Sequence, residues 1–175
     1  MGFNGSLFEG GVDIIPDSAP ADWNNDIGGD WVSLVNKDRA YFCFIAGAAA
    51  ADDANVIHLD LNQATDAAGT GSKACAAVSK FWYKVGNFTS AADQWTAVEL
   101  TTPVSDLDLE GYDVGDSTSC FLFEVMSDNL DVDGGFTHLQ HYQEADTLAA
   151  TRYVASMWIL TGDQYAQATP LSALG

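Results

Sequence analysis

The residues most able to do chemistry are the carboxylates of Asn129-Leu130-Asp131-Val132-Asp133-Gly134. Oxygen ligands at alternate positions followed by Gly resemble the first half of a calcium loop. The donors would be Asp128, Asp131 and Asp133. The pattern then departs from such a loop. Asn stands at the first position, Gln140 falls where a bidentate Glu is needed, and strand-like segments flank the run. A tight acidic turn is the better reading, with calcium as the weaker one. His138 and His141 form an HxxH pair, which shares a face on a helix. In a strand, residues three apart point to opposite faces. Residues 136–143 read as a strand and His58 is far off, so no metal site is expected.

Nucleophile and phosphate signatures fare no better. Gly69-Thr70-Gly71-Ser72-Lys73 lacks the spacing of a phosphate loop, and no helical pattern follows it to supply a dipole. No GxSxG occurs. Asp106 and Asp108 could imitate a glycosidase pair, but 25 acidic residues make such pairs common by chance. Trp23, Trp31 and Trp95 could form a sugar platform; such residues are more often core or interface anchors. The residues alone therefore indicate a protein that is not an enzyme and needs no cofactor.

The chain has 175 residues and a formal net charge of −19, with six Lys and Arg against 25 acids. That balance excludes sequence-independent nucleic-acid binding, which needs cations to neutralise phosphates. It also disfavours anionic membranes, and no apolar run reaches the roughly 20 residues of a membrane helix. A basic patch on a partner suits it, and a saline habitat would select the same composition. At 47% hydrophobic, with five Trp, six Tyr and nine Phe, the chain can bury a substantial core. The start, MGFNGSLFEGG, has neither a basic nor an apolar signal-peptide region. Cys43, Cys75 and Cys120 have no CxxC spacing. They read as reduced core thiols, with a Cys43–Cys120 bridge open only if their strands face each other.

These side chains must be carried by strands. Alternation is clear at 55–63, with Ile57, Leu59 and Leu61 inward and His58 outward, and again at 94–101. Apolar strands are expected at 39–47, 118–126 and 151–160. The last is apolar on both faces, so it should be central and covered on both sides, with Thr161-Gly162-Asp163 breaking it. Residues 31–35 and 39–46, joined at Asn36-Lys37-Asp38, read as a hairpin. Residues 12–16 read as a short strand ending in a Pro16-Asp17-Ser18 turn, and 103–116 as an acidic stretch with a short edge strand. About eight or nine short strands, with no amphipathic helix, predict an all-β fold. The expected form is an antiparallel β-sandwich or jelly-roll-like domain over 12–160, with an N-terminal arm (1–11) and a C-terminal tail (161–175).

Several short motifs carry a resemblance. They are Ala46-Gly47-Ala48, His58-Leu59-Asp60-Leu61-Asn62-Gln63-Ala64-Thr65-Asp66-Ala67-Ala68-Gly69-Thr70-Gly71, Gln94-Trp95-Thr96, residues 153–165, and Thr169-Pro170-Leu171-Ser172-Ala173-Leu174. Together they resemble a family of small structural proteins encoded beside the major capsid protein of tailed bacteriophages, over roughly residues 30–175. The chain departs from the family at Gly162-Asp163-Gln164-Tyr165, where members have Arg before the Tyr. Any contact made by that Arg is in doubt here. The resemblance implies a virion role, such as a capsid decoration (cement) protein, with the major capsid protein as partner. On that reading a homo-oligomer, dimer or trimer, would sit on the shell. Phe3, Leu7, Phe8, Tyr165, Pro170 and Leu171 would anchor the two ends in capsid grooves. The alternatives are a lectin-like glycan-binding module or a neck or tail component.

Overall fold

The computed structural model describes residues 11–22, 27–48, 58–86, 94–109, 112, 117–143 and 152–163. Twelve strands follow in order: β1 (Asp13–Asp22), β2 (Ile27–Gly28), β3 (Val32–Ser33), β4 (Lys37–Ala46), β5 (His58–Ala64), β6 (Lys73–Ala74), β7 (Val78–Val85), β8 (Thr96–Val104), β9 (Asp106–Asp108), β10 (Ser119–Met126), β11 (His138–Gln143) and β12 (Tyr153–Asp163). The helical element among the described residues is one 3₁₀ turn, Ser127–Asn129. Two antiparallel sheets pack face to face. The first has the order β1-β12-β4-β10-β7-β8. The second has β2-β11-β5-β6, with β3 also on β11 and β9 also on β5. The all-β sandwich expected from the alternation is therefore what forms.

The core is aromatic, and register explains why. Phe42 of β4 lies opposite Phe123 on β10 and opposite Trp158 on β12. Phe44 lies opposite Phe121 and Ser156. Side chains alternate across a strand, so this register sends Phe42, Phe44, Phe121, Phe123 and Trp158 inward together, all fully buried. From the second sheet, Leu59, Leu61 and Leu139 close the layer.

Four sequence expectations are corrected. Residues 31–35 and 39–46 do not pair as a hairpin: β3 pairs with β11, while β4 pairs with β10 and β12. A turn does occur between them, with Asn36 at φ 63° and Lys37 N donating to Leu34 O at 3.0 Å. It carries the chain from one sheet to the other. Second, Pro16-Asp17-Ser18 is no turn, because β1 continues to Asp22 through two register shifts against β12. Third, β12 is covered on one face. Val154, Ser156, Trp158 and Leu160 are buried, whereas Ala155, Met157 and Ile159 are half-buried and Tyr153 is 62% exposed. Fourth, Thr161-Gly162-Asp163 does not end the strand. Gly162 takes φ 75°, and Asp163 still pairs with Lys37.

Candidate functional site

The polar constellation that joins the two sheets is built by β1, β12 and β11. Asp17 on β1 has its carboxylate wholly buried against His141 Nδ1 on β11, itself 1% exposed. Ser156 on β12 donates from Oγ to Asp17 Oδ2 at 2.9 Å, and Ser18 Oγ lies 2.7 Å from Ser156 Oγ. Asp30 N donates to the other carboxylate oxygen at 3.1 Å. The irregular pairing of β1 places these groups here. Register shifts either side of Ser18 bring Ser18 opposite Ser156 with Asp17 beside it. Gly29 completes the seat: a methyl group there would collide with both Asp17 oxygens and with His141 Nδ1.

Serine, histidine and aspartate meet here in the wrong order for hydrolysis. A nucleophilic serine needs imidazole as its base, with the carboxylate behind the imidazole. Here the carboxylate lies between them, and His141 Nε2 is buried without a hydrogen-bond partner, beside the Phe42 ring at 4.5 Å between centroids. The arrangement cannot take a proton from Ser156 to imidazole. It can hold two sheets in one relative position, through charge-assisted hydrogen bonds in a dry interior. Neither Asp17 nor His141 stood out in the sequence for this role. The signal available was His141 on the inward parity of an otherwise clear strand.

The acidic loop is likewise structural. Asp131 Oδ2 accepts from Lys73 Nζ, Asp131 Oδ1 accepts from Gly134 N at 3.1 Å, and Asp131 N donates to Gln63 Oε1 at 2.8 Å. Lys73 therefore sits where a cation would, and also lies over the Phe136 ring. Lys73 holds the Asp131 carboxyl below its ordinary pKa. Asp133 is exposed, and Asp128 lines a separate cleft with Leu34, Lys37 and Phe136. Among the described residues no three His, Cys, Asp or Glu side chains converge as a metal site. Calcium at millimolar excess should leave the melting temperature where a chelator leaves it. A rise of several degrees would restore the calcium loop.

His138 and His141 do point to opposite faces of β11, His138 half-buried beside Thr137 and His141 in the core. The glycine loop is a capped turn. Asp66 Oδ1 accepts from the backbone N–H of Ala68 and Thr70, both at 3.0 Å, and these bonds hold its pKa down. Gly69 has φ 76° and faces Trp31, whose Nε1 would be 2.6 Å from an added Cβ. Gly69→Ala should therefore destabilise the fold by about 1–3 kcal/mol in urea unfolding.

The thiols depart from expectation. Cys75 is in the core, where burial pushes its pKa up to about 11. Cys43 and Cys120 are half-buried on the outer face of the first sheet, not in the core. Their strands are neighbours, with Cys43 opposite Leu122 and Cys120 opposite Ile45, so the thiols are diagonal. Both are free. Their mutual hydrogen bond lowers the pKa of Cys43 and raises that of Cys120.

Of the aromatic candidates, Trp31 covers Gly69 and Trp95 stands with Tyr41, Trp82 and Leu122 around an open hollow. Trp23 lies outside the described residues, as do the anchors Phe3, Leu7, Phe8, Tyr165, Pro170 and Leu171. Arg152, not singled out in the sequence, is 3% exposed and donates from Nε to Gly47 O at 2.7 Å and from a terminal nitrogen to Ser117 O at 3.4 Å. It ties together the chain ends that flank β4, β10 and β12.

No family model matches the sequence, and no curated protein matches it. Among solved structures, the chain is similar to the SPBc2 prophage-derived protein YomS, with a TM-score of 0.40 and 9% identity, over 85% of this chain and 92% of that one. It is also similar to a chain of the infectious bursal disease virus Gt strain structure, with a TM-score of 0.26 and 14% identity, over 91% of this chain and 44% of that one.

Proposed function

We propose that this chain is a virion structural protein of a tailed phage, a decoration or cement protein that binds the major capsid protein of the head. The observation that carries the reading is the part played by the motif at the centre of the resemblance. Its residues are scaffold. Leu59 and Leu61 are core, Gln63 holds the acidic loop through Asp131 N, and Asp66 with Gly69 builds the turn under Trp31. A motif spent on a rigid strand and turn suits a spacer that presents contact surfaces. On this reading the partner anchors are Phe3, Leu7 and Phe8 at one end and Tyr165, Pro170 and Leu171 at the other. Many weak contacts repeated over a shell would give avidity.

The test is co-sedimentation with head shells that lack the protein. Alanine at Phe3, Leu7 and Phe8 together, or at Tyr165, Pro170 and Leu171 together, should weaken binding at least about tenfold. The melting temperature should stay unchanged. Shells that take up both variants as well as the parent would refute attachment through the ends. A second reading, a glycan-binding module, draws on the hollow among Tyr41, Trp82, Trp95 and Leu122. Binding on a glycan array would favour it.

A further inference from the structure

The two outer faces of the sandwich differ in kind. The second sheet turns outward Asp60 and Asn62 from β5, His138 and Gln140 from β11, and the exposed Asp106 and Asp108 from β9. The first sheet turns outward an apolar field of Tyr41, Ile45, Trp82, Leu122, Met157 and Ile159. Six large hydrophobic side chains are exposed among the described residues. Four of them lie on this face or its border: Ile14, Trp95, Met126 and Tyr153. Isolated exposed hydrophobics are ordinary, but a contiguous field of them marks an interaction surface.

Charge identifies the occupant. The chain carries −19, yet the first sheet's outer face holds Arg39, Lys80 and Lys84 against Glu124, Glu99 and, at its border opposite Tyr153, Asp22. Half of the six Lys and Arg are gathered where three of the 25 acids stand. The two near its centre are paired, Glu124 with Arg39 at 2.8 Å and Glu99 with Lys80 at 3.2 Å. Two copies can meet here without bringing acidic surfaces together. The acids of each second sheet lie one layer further back, about 10 Å behind the first. Across such a pair they are separated by about 30 Å, several screening lengths at physiological salt. Six strands about 4.8 Å apart, each contributing about seven residues, span roughly 700 Å² in plan. Stable interfaces bury roughly 600–1,000 Å² per partner, a range this face meets.

We propose that the outer face of the β1-β12-β4-β10-β7-β8 sheet is an isologous interface between two copies of this chain. This does not rest on the virion reading, and its test uses no shells. Sedimentation equilibrium of the full chain at about 10 μM should give a dimer. Raising the concentration of a kosmotropic salt such as sulfate should tighten it, because such salts strengthen apolar burial and the acidic bodies are already screened from one another. Leu122→Glu and, separately, Met157→Lys should each weaken dimerisation at least about tenfold with unchanged circular dichroism. The protein carries its own reporter. Cys43 and Cys120 lie in this face and should react with a thiol reagent faster on dilution, while Cys75 stays silent in the core. A parent chain that stays monomeric at high concentration and high salt would overturn the proposal. So would a dimer that both variants keep. A monomer that dimerises only once residues 164–175 are removed would show the chain's own end to be the occupant, and would overturn it equally.

Discussion

Asp17→Ala should cost about 3–5 kcal/mol of folding stability, because it takes a buried carboxylate away from the imidazole and hydroxyl packed against it. The carboxylate meets the buried His141 Nδ1, the largely buried Ser156 Oγ and the exposed backbone N of Asp30. Removing it takes that partner from the two buried groups, and an unmade buried hydrogen bond costs more than a made one contributes. Urea unfolding would read this as a large fall in midpoint with little change in slope. The double variant Asp17→Ala/His141→Phe is the sharper measurement. Phe replaces an imidazole that already lies against Phe42, so it removes the orphaned ring nitrogens and keeps the ring contact. It should recover much of the loss. A double variant as unstable as the sum of the two singles would mean the pair is not coupled.

Phe42→Ala should be comparably damaging, with a loss of about 3–5 kcal/mol. Phe42 is 1% exposed and its ring meets Trp158 at 4.9 Å, Phe123 at 6.1 Å, Phe44 at 6.3 Å and His141 at 4.5 Å. It lies on the central strand of three, β12-β4-β10, so the cavity would open where neighbours are held on both sides. Close-packed interiors relax only partly into such a space. Phe42→Leu should lose clearly less, since it retains most of the buried area. Equal losses for Ala and Leu would mean that ring contacts outweigh volume.

The strands were legible because alternation is local. Leu59 and Leu61 inward with His58 outward is written in seven residues, and the acidic strand Asp106–Asp108 in three. Partnership was not legible, because it is decided by residues far apart. The segment 31–35 and β4 are neighbours in sequence and belong to different sheets. The apparent two-sided burial of 151–160 failed for a related reason. Met157 and Ile159 are apolar, but they face outward. The constellation at Asp17 escaped because Pro-Asp-Ser is ordinarily a turn. Here the register shifts of β1 accommodate it within a strand. Resemblance pointed to Gln63, Asp66 and Gly69, and the structure gives each a mechanical role.

The pairing of β4 with β10 and β12 has a consequence for how the chain is made. The apolar strand β4 must wait for partners encoded far downstream: Phe42 meets Phe123 and Trp158, and Ile15 of β1 also meets Trp158. On a ribosome adding about 5–20 residues per second, β4 emerges many seconds before β12. Folding of the first sheet therefore waits until β12 has been made, and its speed is set by closing long loops. During that interval Tyr41-Phe42-Cys43-Phe44-Ile45 is an unpaired hydrophobic strand. Its flanks, Lys37-Asp38-Arg39 before it, hold the nearest charges that discourage it from pairing with the nascent chain beside it.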